Sequence, residues 1–406
     1  MITYLLEYNR YMNVIGILLM LLLSVILSGP RRRFISLRLV AITLAMQGVI
    51  GYSILRFSAG RAMVQSVADA VSVLYGYARY GSQFMFGSLT DPSGSWGFIF
   101  AVNVLPVIIF FSALTALMFH WGVIQKLVHS VAYIVRPILR TSGPETTCAI
   151  ANSVLSQTEA PLLIKRYLSH MNESQIFVVM LSGMATISAS ILAVYAAMGV
   201  PAVHMLASSV MSIPGALLVA KIIYPETTKS PETSLDEDTQ EAAAGNMFEA
   251  IAVGTSDGLM MALHIGAMLI SFLALIALGN GLLGYISAGI TLQSIFAWLC
   301  APFGYLLGFT GTDALIAGRL IGTKIAVNEL FAYSDMVALN LAPRMNAVLT
   351  YALCGFSNFS CIGIQIASIG ALAPNQKKVI TRLGITAVLG AAISNIITAC
   401  MAGLLL

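Results

Sequence analysis

Charge is scarce in this sequence: of 406 residues only 9% are Asp, Glu, Lys or Arg, while 58% are hydrophobic. A water-soluble domain carries roughly a quarter charged residues to cover its surface, so a soluble globular fold is excluded. The five cysteines (Cys148, Cys300, Cys354, Cys361, Cys400) are scattered through apolar segments with no metal-ligand spacing, which argues against a disulfide framework. The five histidines do not cluster, and the Gly-rich stretches hold no P-loop, so no nucleophile, metal or acid/base pair announces an enzyme. The net charge of +4 is small and its basic residues sit at segment ends, a mark of topology and not of nucleic-acid binding. The first apolar run has neither a basic leader nor an A-x-A site, so it reads as a span and not as a cleaved signal.

What the sequence does have is apolar runs of 18 or more residues, long enough to cross a hydrocarbon core of about 30 Å. Spans are expected at about 12–28, 36–56, 98–119, 173–199, 201–223, 257–282, 345–370 and 379–404, about eight in all. Residues 61–80 and 121–140 mix apolar positions with Arg61, Asp69, Arg79 and Arg136 and read as amphipathic segments at the interface. Arg31–Arg33 with Arg38, and Lys377, Lys378 with Arg382, are placed inside by the positive-inside rule, leaving the amino terminus outside the cytoplasmic membrane. Residues 225–246, rich in Pro, Thr, Ser, Asp and Glu, form a solvated cytoplasmic loop.

Two stretches break this pattern. The apolar run 146–155 would extend only about 15 Å as a helix, then meets Ser156-Gln157-Thr158-Glu159 and Pro161. Basic residues flank it on both sides (Arg136 and Arg140, Lys165 and Arg166), so it enters, turns and returns as a re-entrant hairpin with its tip near mid-membrane. The stretch 311–334 repeats the pattern: an apolar helix from Gly311, then Asn328-Glu329. Arg319 and Lys324 inside it need water or a carboxylate, with no partner assignable from the sequence. A polar-centred span follows each hairpin, with Thr186-Ile187-Ser188 in the first and Asn358 in the second, about 170 residues on. The expected fold is therefore an all-α polytopic membrane protein with inverted repeats, two re-entrant hairpins and broken transmembrane helices, the signature of secondary transporters.

A carboxylate at membrane depth costs at least ~2.5 kcal/mol, so Glu159 and Glu329 are read as ligand or cation groups ahead of structural ion pairs. Gln157 and Asn358 suit a neutral polar solute, although a lone buried amide serves equally as an interhelical bond. Asn152 and Thr186 offer hard oxygens that unwound carbonyls would complete into a cation shell. On spacing alone Phe356 is packing, and the twenty methionines are core or lipid contacts.

At four places the residues resemble a known family. Ser156-Gln157-Thr158-Glu159-Ala160-Pro161-Leu162-Leu163 is similar to the G-Q-T-E-A-P-L-L motif of the concentrative nucleoside transporters. The run from Gly322 to Tyr333 (GTKIAVNELFAY) resembles their G-x-K-x3-N-E-F-V-A-Y, and that from Cys354 to Gly363 (CGFSNFSCIG) their C-G-F-A-N-F-S-S-I-G. Leu105 to Ser112 (LPVIIFFS) matches a further stretch, so the likeness runs from about residue 84 to the carboxyl end.

The resemblance implies a homotrimer in the cytoplasmic (inner) membrane that imports nucleosides such as uridine with sodium, by elevator-like alternating access. Residues 1–140 and 247–308 would form the scaffold, and 141–224 and 309–406 the two repeats of the transport domain. It places Gln157, Thr158 and Glu159 on the nucleobase with Ile191 beside them, and Glu329, Asn358, Phe356 and Cys361 around the ribose. Sodium would sit on the Asn152 and Thr186 side chains and the carbonyls of Leu155 and Ile187. Proton-coupled members typically lack the asparagine matching Asn152, so its presence favours sodium over the rival, a proton-coupled symporter. Ser156 replaces the motif's glycine, Cys361 replaces a serine that would bond the ribose, and Leu330-Phe331 replaces Phe-Val. A membrane enzyme is disfavoured by the missing catalytic constellation, and a channel by polar groups that cluster at one depth.

Overall fold

A computed structural model describes all residues except 1, 92, 228–244 and 287–289. Most of the expected cytoplasmic loop 225–246 thus lies outside the described residues. Among those residues the elements are all helical. Seven helical stretches are long and apolar enough to cross a membrane, and eight if one sharply bent pair counts as a span.

The chain enters through α1 (Arg10–Ser28) and α2 (Leu37–Leu55), whose first turn is capped by the Ser36 hydroxyl. The polar stretch expected at the interface is part of a longer helix, α3 (Ser58–Phe86), which is amphipathic throughout. Helix α4 (Leu105–His120) and the proline-bearing α5 (Val123–Leu139) lead to the first hairpin. That hairpin begins with α6 (Gly143–Ala151), started by a capping box in which the Ser142 amide donates to Glu145. Its returning arm is the turn-rich stretch Ala160–Leu168.

The span that follows is broken. Helix α7 (Glu173–Ala185) stops at Thr186, whose backbone is extended, and α8 (Ala189–Ala197) restarts with the Ser188 hydroxyl accepting from the Ile191 amide. Helix α9 (Ala202–Ile223) crosses back. Helix α10 (Met247–Ile286) runs 40 residues, beginning ten residues before the span expected at 257–282. A Cβ on its Gly254 or Gly258 would lie within 2.6–2.8 Å of α4 atoms, including Ala116 Cβ and Ile109 Cα. These two glycines let the helices pack backbone to backbone, as small residues four apart do in membranes. The helix therefore extends through Asp257 and does not start there.

The second half repeats the plan. Helix α11 (Leu292–Leu306) meets α12 (Gly311–Ala326) at 113°, the sharply bent pair. Asn328 is extended and caps α13 (Glu329–Ala338) by accepting from the Phe331 amide, which turns the second hairpin. The span expected at 345–370 is two short helices, α14 (Pro343–Leu353) and α15 (Ser360–Leu372), separated by Cys354–Phe359. Helix α16 (Lys377–Leu405) closes the chain. Glu159 and Glu329, Thr186 and Phe356, Ser188 and Asn358 each stand 170 residues apart, so hairpin and broken span recur in register.

The core lies among the broken spans and their neighbours. In the most apolar stretch of α7–α8, 94% of residues are buried, against 6% for α10, whose flank is left for lipid or another chain. At one end of the molecule three basic groups from separate helices gather. The Arg31 guanidinium stacks 4.0 Å from the Tyr224 ring, Arg382 pairs with Glu173, and Lys221 meets Glu145 at 2.7 Å. Arg31 and Arg382, from two clusters assigned to the inside by charge, thus share one end. The two cations with no assignable partner also find one each: Arg319 pairs with Asp335 at 3.3 Å, and Lys324 is held by uncharged oxygens described below.

Candidate substrate and cation site

The two breaks meet. The Phe356 amide donates to the Thr186 carbonyl at 3.3 Å, tying the second broken span to the first. Asn395 of α16 clamps the junction, its Nδ2 donating to Ala185 O at 2.8 Å and Cys354 O at 3.0 Å. At Gly355 a Cβ would fall 2.6 Å from Asn395 Oδ1 and 2.8 Å from Ala185 O, so the crossing has no room for a side chain. Breaking a helix at this depth exposes carbonyls and amides, and such backbone persists only where it borders protein or a polar cavity.

That cavity has a volume of about 420 Å³, within the range of small-molecule sites. Gln157 and Thr158 from the first hairpin tip line one side, and Ile191 and Tyr195 from α8 another. Asn328 and Glu329 of the second hairpin, with Phe356, Asn358 and Cys361 from the second break, complete it. Seven of the eight residues assigned to the solute by resemblance therefore border one space. Glu159 borders an adjacent cavity, with Thr115, His120 and Asp257, and its carboxylate accepts from both the amide and the hydroxyl of Ser156 at 2.9 Å.

The polar groups form a connected set. Glu329 is buried; one oxygen accepts the Tyr195 hydroxyl at 2.8 Å and the other the Asn358 amide at 3.0 Å. Asn358 Oδ1 in turn accepts the Ser360 hydroxyl at 2.6 Å and the Cys361 amide at 3.2 Å. Gln157 Nε2 donates to Cys361 Sγ at 3.2 Å, and Gln157 Oε1 accepts from Gln365, which also reaches Met180 O. A carboxylate held this way keeps lone pairs for hydroxyl donors, and the amides offer both a donor and an acceptor to a ring edge. Two of the three departures from the family motif, Ser156 and Cys361, lie at this site and find partners there. Ser156 keeps an ordinary backbone conformation and uses its hydroxyl to bind Thr158 and Glu159 within the tip, while Cys361 occupies its place as a sulfur acceptor.

Beside this cavity Asn152, Leu155, Thr186 and Ile187 are all buried. Asn152 Nδ2 donates to the Ser182 hydroxyl at 3.0 Å, which aims its Oδ1 elsewhere, and among the described residues that buried oxygen has no hydrogen-bond donor. Thr186 spends its hydroxyl proton on Ser182 O at 2.9 Å, leaving its oxygen as an acceptor. An orphaned amide oxygen and a hydroxyl oxygen, on two residues that both bond to Ser182 at the edge of unwound backbone, are a donor set suited to a small hard cation.

Several of these residues are invisible to motif reading. Tyr195, Ser182, Gln365 and Asn395 look like ordinary members of apolar helices, and only the packing brings them to the site. Asp257 and His264 of α10 also line the large cavity. Asp257 did carry a signal, as a lone acid inside an apolar helix.

Profiles of known families match nearly end to end. Residues 15–89 match the Na+ dependent nucleoside transporter N-terminus, 101–202 a nucleoside recognition ("gate") region, and 204–403 the Na+ dependent nucleoside transporter C-terminus. The nucleoside permease NupC of Helicobacter pylori is 37% identical over 98% of both chains. The sodium/nucleoside cotransporter 1 of Homo sapiens is 31% identical over 91% of this chain and 60% of its own length. Among solved structures, CNTnw in an inward-facing substrate-bound state superposes with a TM-score of 0.92 at 35% identity, covering 97% of each chain. A double variant of the same transporter in an outward-facing state gives 0.91, covering 98% of this chain and 97% of the other. With both halves, the region between them and whole-length relatives in agreement, the chain belongs to the Na+ dependent nucleoside transporter family.

Proposed function

We propose that this protein is a sodium-driven symporter that imports nucleosides such as uridine across the cytoplasmic membrane. The observation that carries this reading is the pairing of two adjoining sites: a largely apolar cavity into which polar groups of both hairpin tips project, and beside it the Asn152 oxygen, unpartnered among the described residues. Gln157, Thr158 and Glu159 recognise the nucleobase edge, with Ile191 against its face and Glu159 also bracing the tip through Ser156. Glu329 and Asn358 take the ribose hydroxyls, flanked by Phe356 and Cys361. Asn152, Thr186 and the carbonyls of Leu155 and Ile187 hold the sodium ion. Cation and nucleoside support each other's binding because the first hairpin tip and the first break border both sites.

The two halves, 141–224 and 309–406, act as inverted repeats of one transport domain moving against a scaffold of 1–140 and 247–308, in an elevator-like cycle. The thinly covered flank of α10 supports an assembled form, a homotrimer embedded in lipid. The amino terminus lies outside and the end gathering Arg31, Arg382 and Lys221 inside.

Uptake of radiolabelled uridine into proteoliposomes, with and without an inward sodium gradient, tests the whole reading. Uptake that requires the sodium gradient is expected, and uptake that follows only a proton gradient overturns the ion assignment. No uridine uptake under any gradient overturns the substrate. Glu159→Gln and Glu329→Gln should each abolish uptake while leaving the assembled protein intact.

A further inference from the structure

The register between the two halves carries a consequence for Lys324. Subtracting 170 maps Ala352 onto Ser182, the residue around which the candidate sodium ligands gather. In the first half, Ser182 O accepts the Thr186 hydroxyl and Ser182 Oγ accepts the Asn152 amide. In the second half, Ala352 O accepts the Lys324 ammonium at 3.0 Å, and Asn395 Oδ1 accepts it at 2.7 Å. Lys324 lies on the entering helix of the second hairpin, α12, as Asn152 follows the entering helix of the first. Its side chain is 1% exposed. Both hydrogen-bonding partners of this buried cation are neutral oxygens, one of them a carbonyl near the C-terminal end of α14, where the helix dipole favours positive charge.

We propose that the Lys324 ammonium is a tethered cation, filling in the second half the place that an exchangeable sodium takes in the first. This rests on the sodium reading above and extends it to the opposite repeat. The ammonium neutralises the carbonyl end of α14 and fixes Asn395 Oδ1, which also accepts the Ser357 hydroxyl. With Oδ1 so held, Asn395 Nδ2 is aimed at Ala185 O and Cys354 O, one carbonyl from each break. One tethered and one exchangeable cation therefore hold the two crossed breaks. Lys324 hydrogen-bonds to Ala352 and Asn395 and to no candidate substrate group, although its charge acts on Glu329 through space, and it acts as a positioning residue.

The test uses purified full-length wild type, Lys324→Met (near-isosteric, uncharged) and Lys324→Ala in proteoliposomes, reading uridine uptake against external sodium. Lys324→Met should lose about tenfold or more of the uptake rate at saturating sodium, as expected when buried acceptors lose a charged donor. Lys324→Ala should be equally impaired and regain at least part of its uptake with millimolar ethylammonium, but not with ethanol. It should also respond more steeply to sodium than wild type, because a second site now needs filling. Wild-type uptake and sodium dependence in Lys324→Met overturn the proposal. So does a Lys324→Ala protein that elutes as wild type but answers to neither ethylammonium nor sodium. Should Lys324→Met not elute as a single species, Lys324→Gln replaces it, and wild-type behaviour there overturns the proposal equally. A wild type indifferent to sodium would sink the sodium reading alone, since the ethylammonium rescue can be read under whatever gradient drives uptake.

Discussion

Glu329 and Asn358 meet at 3.0 Å across the cavity, the first from the second hairpin and the second from the break of the span that follows it. Tyr195, from the other half, binds the remaining Glu329 oxygen at 2.8 Å. The carboxylate therefore joins both halves of the transporter through one side chain. A solute that binds here loads both halves together, which suits a carrier whose substrate must move with a complete domain.

Replacing Glu329 by Gln removes the charge and turns an acceptor into a donor facing Tyr195 or Asn358. Uridine affinity should fall about thirtyfold or more, the scale for truncating one member of a buried hydrogen-bonded charge pair. Tyr195→Phe leaves the carboxylate charged but with one donor fewer, and should weaken binding about fivefold. Equilibrium binding of uridine to solubilised protein measures both. A larger loss in Tyr195→Phe than in Glu329→Gln would show that the tyrosine, and not the carboxylate, carries recognition.

Asn152→Ala removes the unpartnered buried oxygen. If that oxygen faces the cation, the sodium concentration for half-maximal uptake should rise about tenfold or more, while the uridine KM at saturating sodium changes little. Ser182→Ala leaves Asn152 in place but frees its amide to turn, and should give a smaller shift of the same kind, about threefold. An unchanged sodium response in Asn152→Ala would place the cation elsewhere.

How far the sequence leads differs from part to part. The absence of charge, the short half-helices and the four motifs suffice for the fold class and the family, because each is written in consecutive residues. Glu329 and Asn358 were legible in the same way, as polar residues stranded in apolar runs. Tyr195 and Asn395 were not, since a tyrosine or asparagine in a buried helix looks alike whether it braces a carboxylate or a neighbouring helix. The environment of Lys324 was equally hidden: its acceptors lie 28 and 71 residues downstream, and one is a backbone carbonyl without a side-chain signature. The span expected at 257–282 falls inside the longer α10, whose earlier turns are held by Gly254 and Gly258 against α4, a close approach that a single sequence does not display.

The crossing of the breaks predicts a steric effect. Gly355→Ala puts a methyl 2.6 Å from Asn395 Oδ1 and 2.8 Å from Ala185 O, and neither the clamping amide nor the carbonyl can retreat without losing its bond. The protein should lose about 2 kcal/mol of stability, as overpacked sites do, seen as a lower Tm in detergent. Gly363→Ala, three residues into α15 with nothing within 4 Å of the added methyl, is the control and should leave Tm unchanged.

The last prediction concerns the root of the first hairpin. Glu145 and Lys221 pair at 2.7 Å with side-chain exposures of 0% and 5%, and Lys221 also donates to Ser174 Oγ at the start of α7. Glu145 is the same carboxyl group that closes the capping box of α6, so the pair fixes where the hairpin leaves α5 and how it lies on α9. Lys221→Met alone removes the cation that the buried carboxylate faces, and should cost about 3 kcal/mol. Adding Glu145→Gln removes that stranded charge while keeping an oxygen for the Ser142 amide. The double variant should therefore recover most of the lost stability, since a buried ion pair owes little net stabilisation to its charges once desolvation is counted. Thermal unfolding of the three proteins measures the coupling. A double variant less stable than Lys221→Met alone would show that Glu145 is needed for its charge, independently of the lysine.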